Sequence, residues 1–243
     1  MDTWMWRRQV APVILLLVCL ATAGAEPGPK YTKAAAQRLI EAAEGTLAPV
    51  YAPLAEEIAE ILDLSDTEGI GIDLGSGPGT LISELCQHTK LHWINADINP
   101  HFFPYFMRKA DAAGLSGRVS AVRADARTLP FRSDYAQVVV SRGSFQFWGD
   151  KKRAFAEVYR VLKPGGAAYI GRGLPARMPL EVAGAVRRKH GSGPKYDVDE
   201  TERELRELMK DLGIADYTIR RPHLGNAAGV NYGIWLEFHK PGS

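Results

Sequence analysis

The apolar positions of this chain change their spacing several times along its 243 residues, and each change marks an element. Val10 to Ala23 is a nearly unbroken apolar run preceded by Arg7-Arg8 and followed by the small-residue stretch Ala23-Gly24-Ala25. Tyr31–Glu44 and Pro53–Leu62 carry helical patterns broken near Gly45 and Pro49, with Ile58, Ile61 and Leu62 at helical spacing. Strands and helices then alternate. Strands are predicted at Gly69–Leu74, Leu91–Ala96, Arg118–Arg123, Tyr135–Ser141 and Ala167–Gly171, and helices at Gly79–Lys90, Pro100–Ala113 and Lys151–Val161. The run Val138-Val139-Val140 suits a strand buried on both faces. Lys163-Pro164-Gly165-Gly166 reads as a helix stop and turn. A charged amphipathic helix at Asp199–Leu212 and strands at Ile214–Arg220 and Tyr232–His239 close the chain.

Strict alternation predicts an α/β fold. The expected architecture is a seven-stranded, mostly parallel Rossmann-like sheet with an antiparallel last strand, helices on both faces and an N-terminal helical cap. Three segments follow: residues 1–30 as leader and linker, 31–68 as a helical lid, and 69–243 as the main domain. Sheets of this type bind ligands at the carboxyl ends of their strands. The glycine-rich stretch Gly171–Pro194 reads as an insertion after the fifth strand, a second candidate for shaping a pocket.

Composition narrows the picture only a little. The net charge of +2 gives no field that would draw nucleic acid, so no nucleic-acid partner is expected. The basic cluster Arg187-Arg188-Lys189-His190 reads as a solvated helix end. Cys19 lies in the apolar run and Cys86 in a predicted helix, so loss of the leader would leave one thiol and no internal disulfide. The apolar run is shorter than the roughly 20 residues of a membrane-spanning helix, and it reads as a secretory signal peptide or an uncleaved anchor. The domain is then exported or membrane-associated through residues 7–25, or cytoplasmic if the leader does not function. The sequence sets no oligomeric state.

Chemistry concentrates at the strand ends. Gly75-Ser76-Gly77-Pro78-Gly79 links the first strand to a helix N-terminus, whose free N–H groups suit a carboxylate or phosphate. Asp73, just before this turn, would repel a pyrophosphate but suits an ammonium. Asp97 follows the second strand about 20 residues later, where an acid binds a ribose diol. Asp125-Ala126 ends the third strand, where an acid accepts from an adenine amine. Ammonium, carboxylate, ribose and adenine together describe S-adenosylmethionine (SAM).

In the order and spacing of these pieces, residues from about Gly69 to Ile170 resemble the class I SAM-dependent methyltransferase domain of the small-molecule type. The matching segments are Gly71-Ile72-Asp73-Leu74-Gly75-Ser76-Gly77-Pro78-Gly79, Ala96-Asp97-Ile98, Ala124-Asp125-Ala126 with Leu129-Pro130-Phe131, Tyr135–Ser141, and Glu157–Gly166. The resemblance implies that Gly75, Gly77 and Gly79 face the methionine part, Asp97 the ribose, and Asp125 with Ala126 the adenine. Ile98 packs on the adenine face or serves as a plain core residue. Ser76 and Ser141 complete the candidate cofactor set. The resemblance further implies methyl transfer to a small-molecule acceptor by in-line displacement. Enzymes of this class that methylate nucleobase or glutamine nitrogen often carry Asn/Asp-Pro-Pro-Tyr after the fourth strand. Here Ser141-Arg142-Gly143-Ser144 stands there, which argues against those substrates. The loop has no Asp-Asp pair, so no metal site is expected.

The acceptor side is less defined. Tyr51, Arg142 and Trp148 are candidate substrate-binding residues, each with a surface or core role as the alternative. Phe145 and Phe147 lie with Trp148 in a possible aromatic wall. His101, His223 and Tyr51 are the side chains able to exchange a proton, and none is singled out as a base. Two other functions fit parts of the pattern: an NAD(P)-dependent oxidoreductase, which shares the turn and the ribose acid, and a non-catalytic membrane-tethered SAM-binding module.

Overall fold

The structure is a computed structural model, and it describes residues 31–189 and 196–242. The leader expected at 1–30 lies outside the described residues. Among the described residues no helix is long and apolar enough to cross a membrane.

Ile70–Leu74 (β1) lies centrally in a seven-stranded sheet. On one side it pairs in parallel with His92–Asp97 (β2), which pairs with Val119–Arg123 (β3). On the other it pairs in parallel with Ala136–Arg142 (β4), followed by Leu162–Gly173 (β5). Gly233–His239 (β7) runs antiparallel to β5 and to the edge strand Tyr217–Arg220 (β6). The order is β3-β2-β1-β4-β5-β7-β6, a seven-stranded and mostly parallel sheet with an antiparallel last strand, as expected. The chain leaves β1 toward β2 and later returns to β4 on β1's other side. The crevice between the carboxyl ends of β1 and β4 is therefore the switch point of the sheet.

Each sheet face buries its own helices. Lys33–Glu44 (α1), Ala48–Ile61 (α2), Thr80–His88 (α3), Phe103–Ala112 (α4) and Leu180–Lys189 (α6) lie on one side. There Leu54 and Ile58 of α2 and Leu85 of α3 pack with Trp93, Val138, Tyr169 and Trp235. Lys151–Val161 (α5) and Val198–Asp211 (α7) cover the other face, where Phe155 and Met209 meet Ile72, Val139, Ile170 and Leu236. Strands buried on both faces need continuous apolar runs, and Val138-Val139-Val140 alternates between the two cores.

Several boundaries differ from the sequence reading for identifiable reasons. The second helix begins at Ala48, ahead of Pro53, because Pro49 fits a first helical turn. Pro53 then removes only the bond to the Pro49 carbonyl, while Val50, Leu54 and Ile58 are fully buried. Strand β5 starts at Leu162 rather than Ala167: the Gly165 N–H donates to the Lys240 carbonyl at 2.9 Å, so the expected turn is tied to the chain's last strand. The stretch after β5 contains α6, whose Ala183 and Val186 are buried in the core. Glu57 of α2 accepts from the Tyr169 hydroxyl of β5 and from the Arg177 N–H, both at 3.3 Å, which fixes the helical cap to the sheet.

Candidate active site

The turn after β1 has three glycines with positive φ, 70° at Gly75, 57° at Gly77 and 75° at Gly79, but they do different things. A Cβ on Gly75 would lie 2.4 Å from the Ser144 Cβ, and one on Gly79 would lie 2.1 Å from the Phe106 ring. Those two glycines are required by the protein's own packing. A Cβ on Gly77 would meet nothing closer than Phe102 at 3.9 Å. Of the three, Gly77 alone has room for a Cβ.

Gly77 is held from two sides. Its N–H donates to Asp97 Oδ2 at 2.8 Å, and its carbonyl accepts from Asn95 Nδ2 at 3.1 Å. Asn95 is fully buried on β2, and its Oδ1 has no partner. Asp97 Oδ1 accepts the Asn99 N–H at 2.8 Å, and burial raises the pKa of this carboxyl. Helix α3 starts at the left-handed Gly79 without a side-chain cap, so its first N–H groups face the turn.

Asp73 is a strongly perturbed acid of the site. Its side chain is buried, and Oδ2 accepts the Ser76 hydroxyl at 2.6 Å while Oδ1 has no partner. Burial, less the effect of the Ser76 bond and with the nearby Asp97 charge adding to it, pushes its pKa up to about 7. A buried carboxylate with a free oxygen fits a cationic ligand group.

The adenine end is more open. Asp125 is clasped by Arg127, whose Nη2 donates to Oδ2 at 2.6 Å and whose Nε donates to Oδ1 at 3.0 Å, and these bonds hold its pKa low. Ala126 is buried in the core. Ile98 is half-buried and belongs to none of the core clusters.

Near the end of β4, the buried Ser141 donates to Ser144 Oγ at 2.6 Å. Ser144 gives its own proton to the Leu74 carbonyl at 2.9 Å, and Trp148 Nε1 donates to it at 3.0 Å. Ser144 thus ties the β4 loop to the glycine turn. Trp148 and Phe145 are buried against Phe155 in the core, and Phe147 is exposed, so no aromatic wall forms. Trp148 supports Ser144 from the core through this bond. Arg142 lies over the Tyr51 ring at 5.3 Å, bringing these two candidates together beside Asp73. Burial raises the Tyr51 pKa and opposes its use as a base. His101 is exposed on a 3-10 turn, and His223 lies in the loop after β6 with Nε2 against the Ala176 carbonyl. Asn95 and Ser144 were not visible in the sequence, since their partners lie 18 and 70 residues away. Among the described residues no cluster of His, Cys, Asp or Glu could hold a metal ion.

Residues 72–170 match the family profile described as methyltransferase domain. Over these residues the chain is similar to the class I SAM-dependent methyltransferase domain that its strand-end motifs resemble. The chain is 34% identical over 112 residues to a chloroplastic 2-methyl-6-phytyl-1,4-hydroquinone methyltransferase of Spinacia oleracea, covering 46% of this chain and 31% of that protein. It is 36% identical over 101 residues to the ubiquinone/menaquinone biosynthesis C-methyltransferase UbiE of Vibrio vulnificus, covering 41% and 39%. The chain therefore matches well under half of the length of these relatives, 31% and 39%. Over 91% of this methyltransferase-domain chain and 99% of the other, the fold superposes with TM-score 0.77 and 29% identity on a Methanococcus maripaludis protein provisionally described as a SAM-dependent methyltransferase. A phosphoethanolamine N-methyltransferase of Haemonchus contortus, solved with SAM, shares the fold at TM-score 0.62 and 16% identity, over 88% and 58% of the two chains.

Proposed function

We propose that the protein is a SAM-dependent methyltransferase acting on a small-molecule acceptor. The observation that carries this reading is Asp73, a buried carboxyl with one unpartnered oxygen beside the open face of Gly77. That pair suits the amino-acid end of SAM and is unsuited to the pyrophosphate of a nicotinamide cofactor. When bound, SAM supplies a sulfonium methyl group that an acceptor lone pair can take by in-line displacement, with the C–S electron pair leaving on sulfur.

The chain's own residues bind and orient. Asp73 faces the ammonium, the α3 N-terminus the carboxylate, and Asp97 the ribose hydroxyls. Ile98 covers an adenine face, with Asp125 and Ala126 at its edge. Ser76 and Ser141 act through others, Ser76 by orienting Asp73 and Ser141 by bonding Ser144. Tyr51 and Arg142 border the acceptor space, and α1 and α2 form a cap that excludes water. The substrates named for the quinone-pathway relatives make a small acceptor the favoured class. The leader, residues 7–25, is proposed to export the domain or hold it at a membrane. Fractionation of cells expressing the chain with and without residues 1–30 tests this, and identical cytoplasmic distributions reject it.

Calorimetry with SAM and with NAD(H) tests the cofactor reading. Binding of SAM but not NAD(H) is expected, and the reverse rejects it. Methyl-labelled SAM supplied to small-molecule, protein and RNA fractions tests the acceptor class. Label confined to macromolecules rejects a small acceptor, and bound SAM with no transfer to any fraction points to a non-catalytic module.

A further inference from the structure

The carboxyl edge of the sheet carries positive charge that cofactor binding leaves unused. Arg142 ends β4, Arg172 lies near the end of β5, and Arg187 sits on α6, with all three partly buried. The sequence pattern predicted a solvated helix end at Arg187. Instead its Nε donates to the Asn231 carbonyl at 2.7 Å, and the charges of Arg142 and Arg172 reach it. Burial first, and then these two like charges, lower its pKa, partly offset by Tyr196.

Among the described residues, none of the three has a carboxylate within ion-pair distance. Arg142 lies over the Tyr51 ring, with Asp73 acting on it only through space. Arg172 lies over the Tyr196 ring at 4.2 Å, and the Tyr196 hydroxyl donates to the Arg172 carbonyl at 2.9 Å. Two guanidinium nitrogens, Arg142 Nε and Arg187 Nη2, are buried with no acceptor. Buried charged donors without acceptors are costly, and like charges brought together add to that cost. Rings lie over two of the guanidinium groups, and Arg142 also bonds the Tyr51 hydroxyl, which leaves its remaining N–H groups for an acceptor. Of the three, Arg172 borders an open cleft of about 720 Å³ whose lining also carries Asp197, Glu200, Glu204 and Glu207.

We propose that Arg142, Arg172 and Arg187 form an oxyanion subsite that holds a carboxylate or phosphate group of the methyl acceptor. The acceptor is then an anionic small molecule. Its identity as acceptor rests on the methyltransferase reading, whereas the subsite itself does not. Two or three charge-assisted bonds would complete the orphaned donors and fix the acceptor beside the glycine turn.

Titration calorimetry of the full-length protein, alone and saturated with S-adenosylhomocysteine, tests this with inorganic phosphate, pyrophosphate and benzoate as probes. Saturable binding of at least one probe is expected. It should weaken about 10- to 100-fold in Arg187→Gln and in Arg172→Gln, with partial recovery in Arg187→Lys. S-adenosylhomocysteine affinity should be the same in both variants as in the wild type. Preference for phosphates over benzoate identifies a phosphate-bearing acceptor, and the opposite identifies a carboxylate. Absence of saturable binding, or binding that neither variant changes, overturns the proposal. Loss of S-adenosylhomocysteine affinity in the variants also overturns it, by assigning the cluster to the cofactor's own carboxylate. Circular dichroism checks that Arg187→Gln is folded, and Arg172→Gln, at the partly exposed strand end, reads the subsite if it is not. If the wild type binds phosphate but not S-adenosylhomocysteine, the methyltransferase reading fails and the subsite stands.

Discussion

Ser76 donates its hydroxyl proton to one oxygen of Asp73 and leaves the other buried without a partner. One oxygen is oriented by this bond, and the other is the one proposed to meet the SAM ammonium. A carboxyl held this way is protonated at a pH where an exposed aspartate is not, and its pKa of about 7 follows from burial.

This places a pH dependence on both stability and binding. A folded-state pKa raised above the unfolded value means that the native apo protein holds the extra proton. Its stabilising contribution is complete below about pH 4 and is lost as pH rises through about 7. Thermal melts of the apo protein should fall across that window, by on the order of 4 kcal/mol at most, and Asp73→Asn should flatten the fall. SAM affinity should run the other way, tightening by up to about ten-fold per pH unit below pH 7 and declining above about pH 8 as the ligand's amine loses its proton. A SAM affinity constant between pH 5.5 and 7.5 would remove Asp73 from the ammonium site.

Gly75 and Gly79 should behave differently from Gly77. An alanine at Gly79 meets the Phe106 ring, and one at Gly75 meets Ser144, in addition to the strain of a positive φ. Each should destabilise by roughly 2–4 kcal/mol, read as a lowered Tm. Gly77→Ala has room and should cost only about 1 kcal/mol from its backbone conformation. Its new methyl enters the space assigned to the ligand, so SAM affinity should fall while the melt barely moves. Equal losses of Tm in all three variants would erase the distinction.

Ser144→Ala removes the acceptor of Trp148 Nε1 and Ser141 and the donor to Leu74 at once. Leaving buried partners unpaired should cost about 2–4 kcal/mol, whereas Ser141→Ala, which removes only one of those bonds, should cost about 1 kcal/mol. Chemical denaturation of the two variants compares these losses.

The strand and helix order was legible because period and punctuation agree. Helix α5 begins after the capping Asp150, whose side chain accepts the Arg153 N–H, and ends before Lys163-Pro164-Gly165-Gly166, so both ends match the sequence reading. The acids Asp73, Asp97 and Asp125 could be placed because each sits at a strand end. What the sequence hid is tertiary. Whether a glycine serves a ligand or makes room for Phe106 depends on a helix that starts over 20 residues later. Arg187 looked like one of several basic residues at a helix end, and only the packing of α6 turns it inward. Trp148 and Phe145 follow a strand toward the site, yet the core around Phe155 claims them.

Asn95 offers the sharpest test of how Gly77 is held. Its amide bonds the Gly77 carbonyl from inside the sheet, while Asp97 bonds the Gly77 N–H from the rim. Asp97 is proposed to touch the ribose as well, and Asn95 touches only the turn, through a side chain that is completely buried. Asp97→Ala should therefore lose both an anchor of the turn and a ligand contact, weakening SAM by about 100-fold or more. Asn95→Leu keeps the volume and frees only the carbonyl, so it should weaken SAM by about ten-fold. Adenosine separates the two roles, since it keeps the ribose and lacks the amino acid. Its affinity should collapse in Asp97→Ala and stay near the wild-type value in Asn95→Leu. Unchanged SAM affinity in Asp97→Ala would mean that the ribose lies elsewhere, and equal adenosine losses in both variants would mean that Asn95 shapes the nucleoside site rather than the turn.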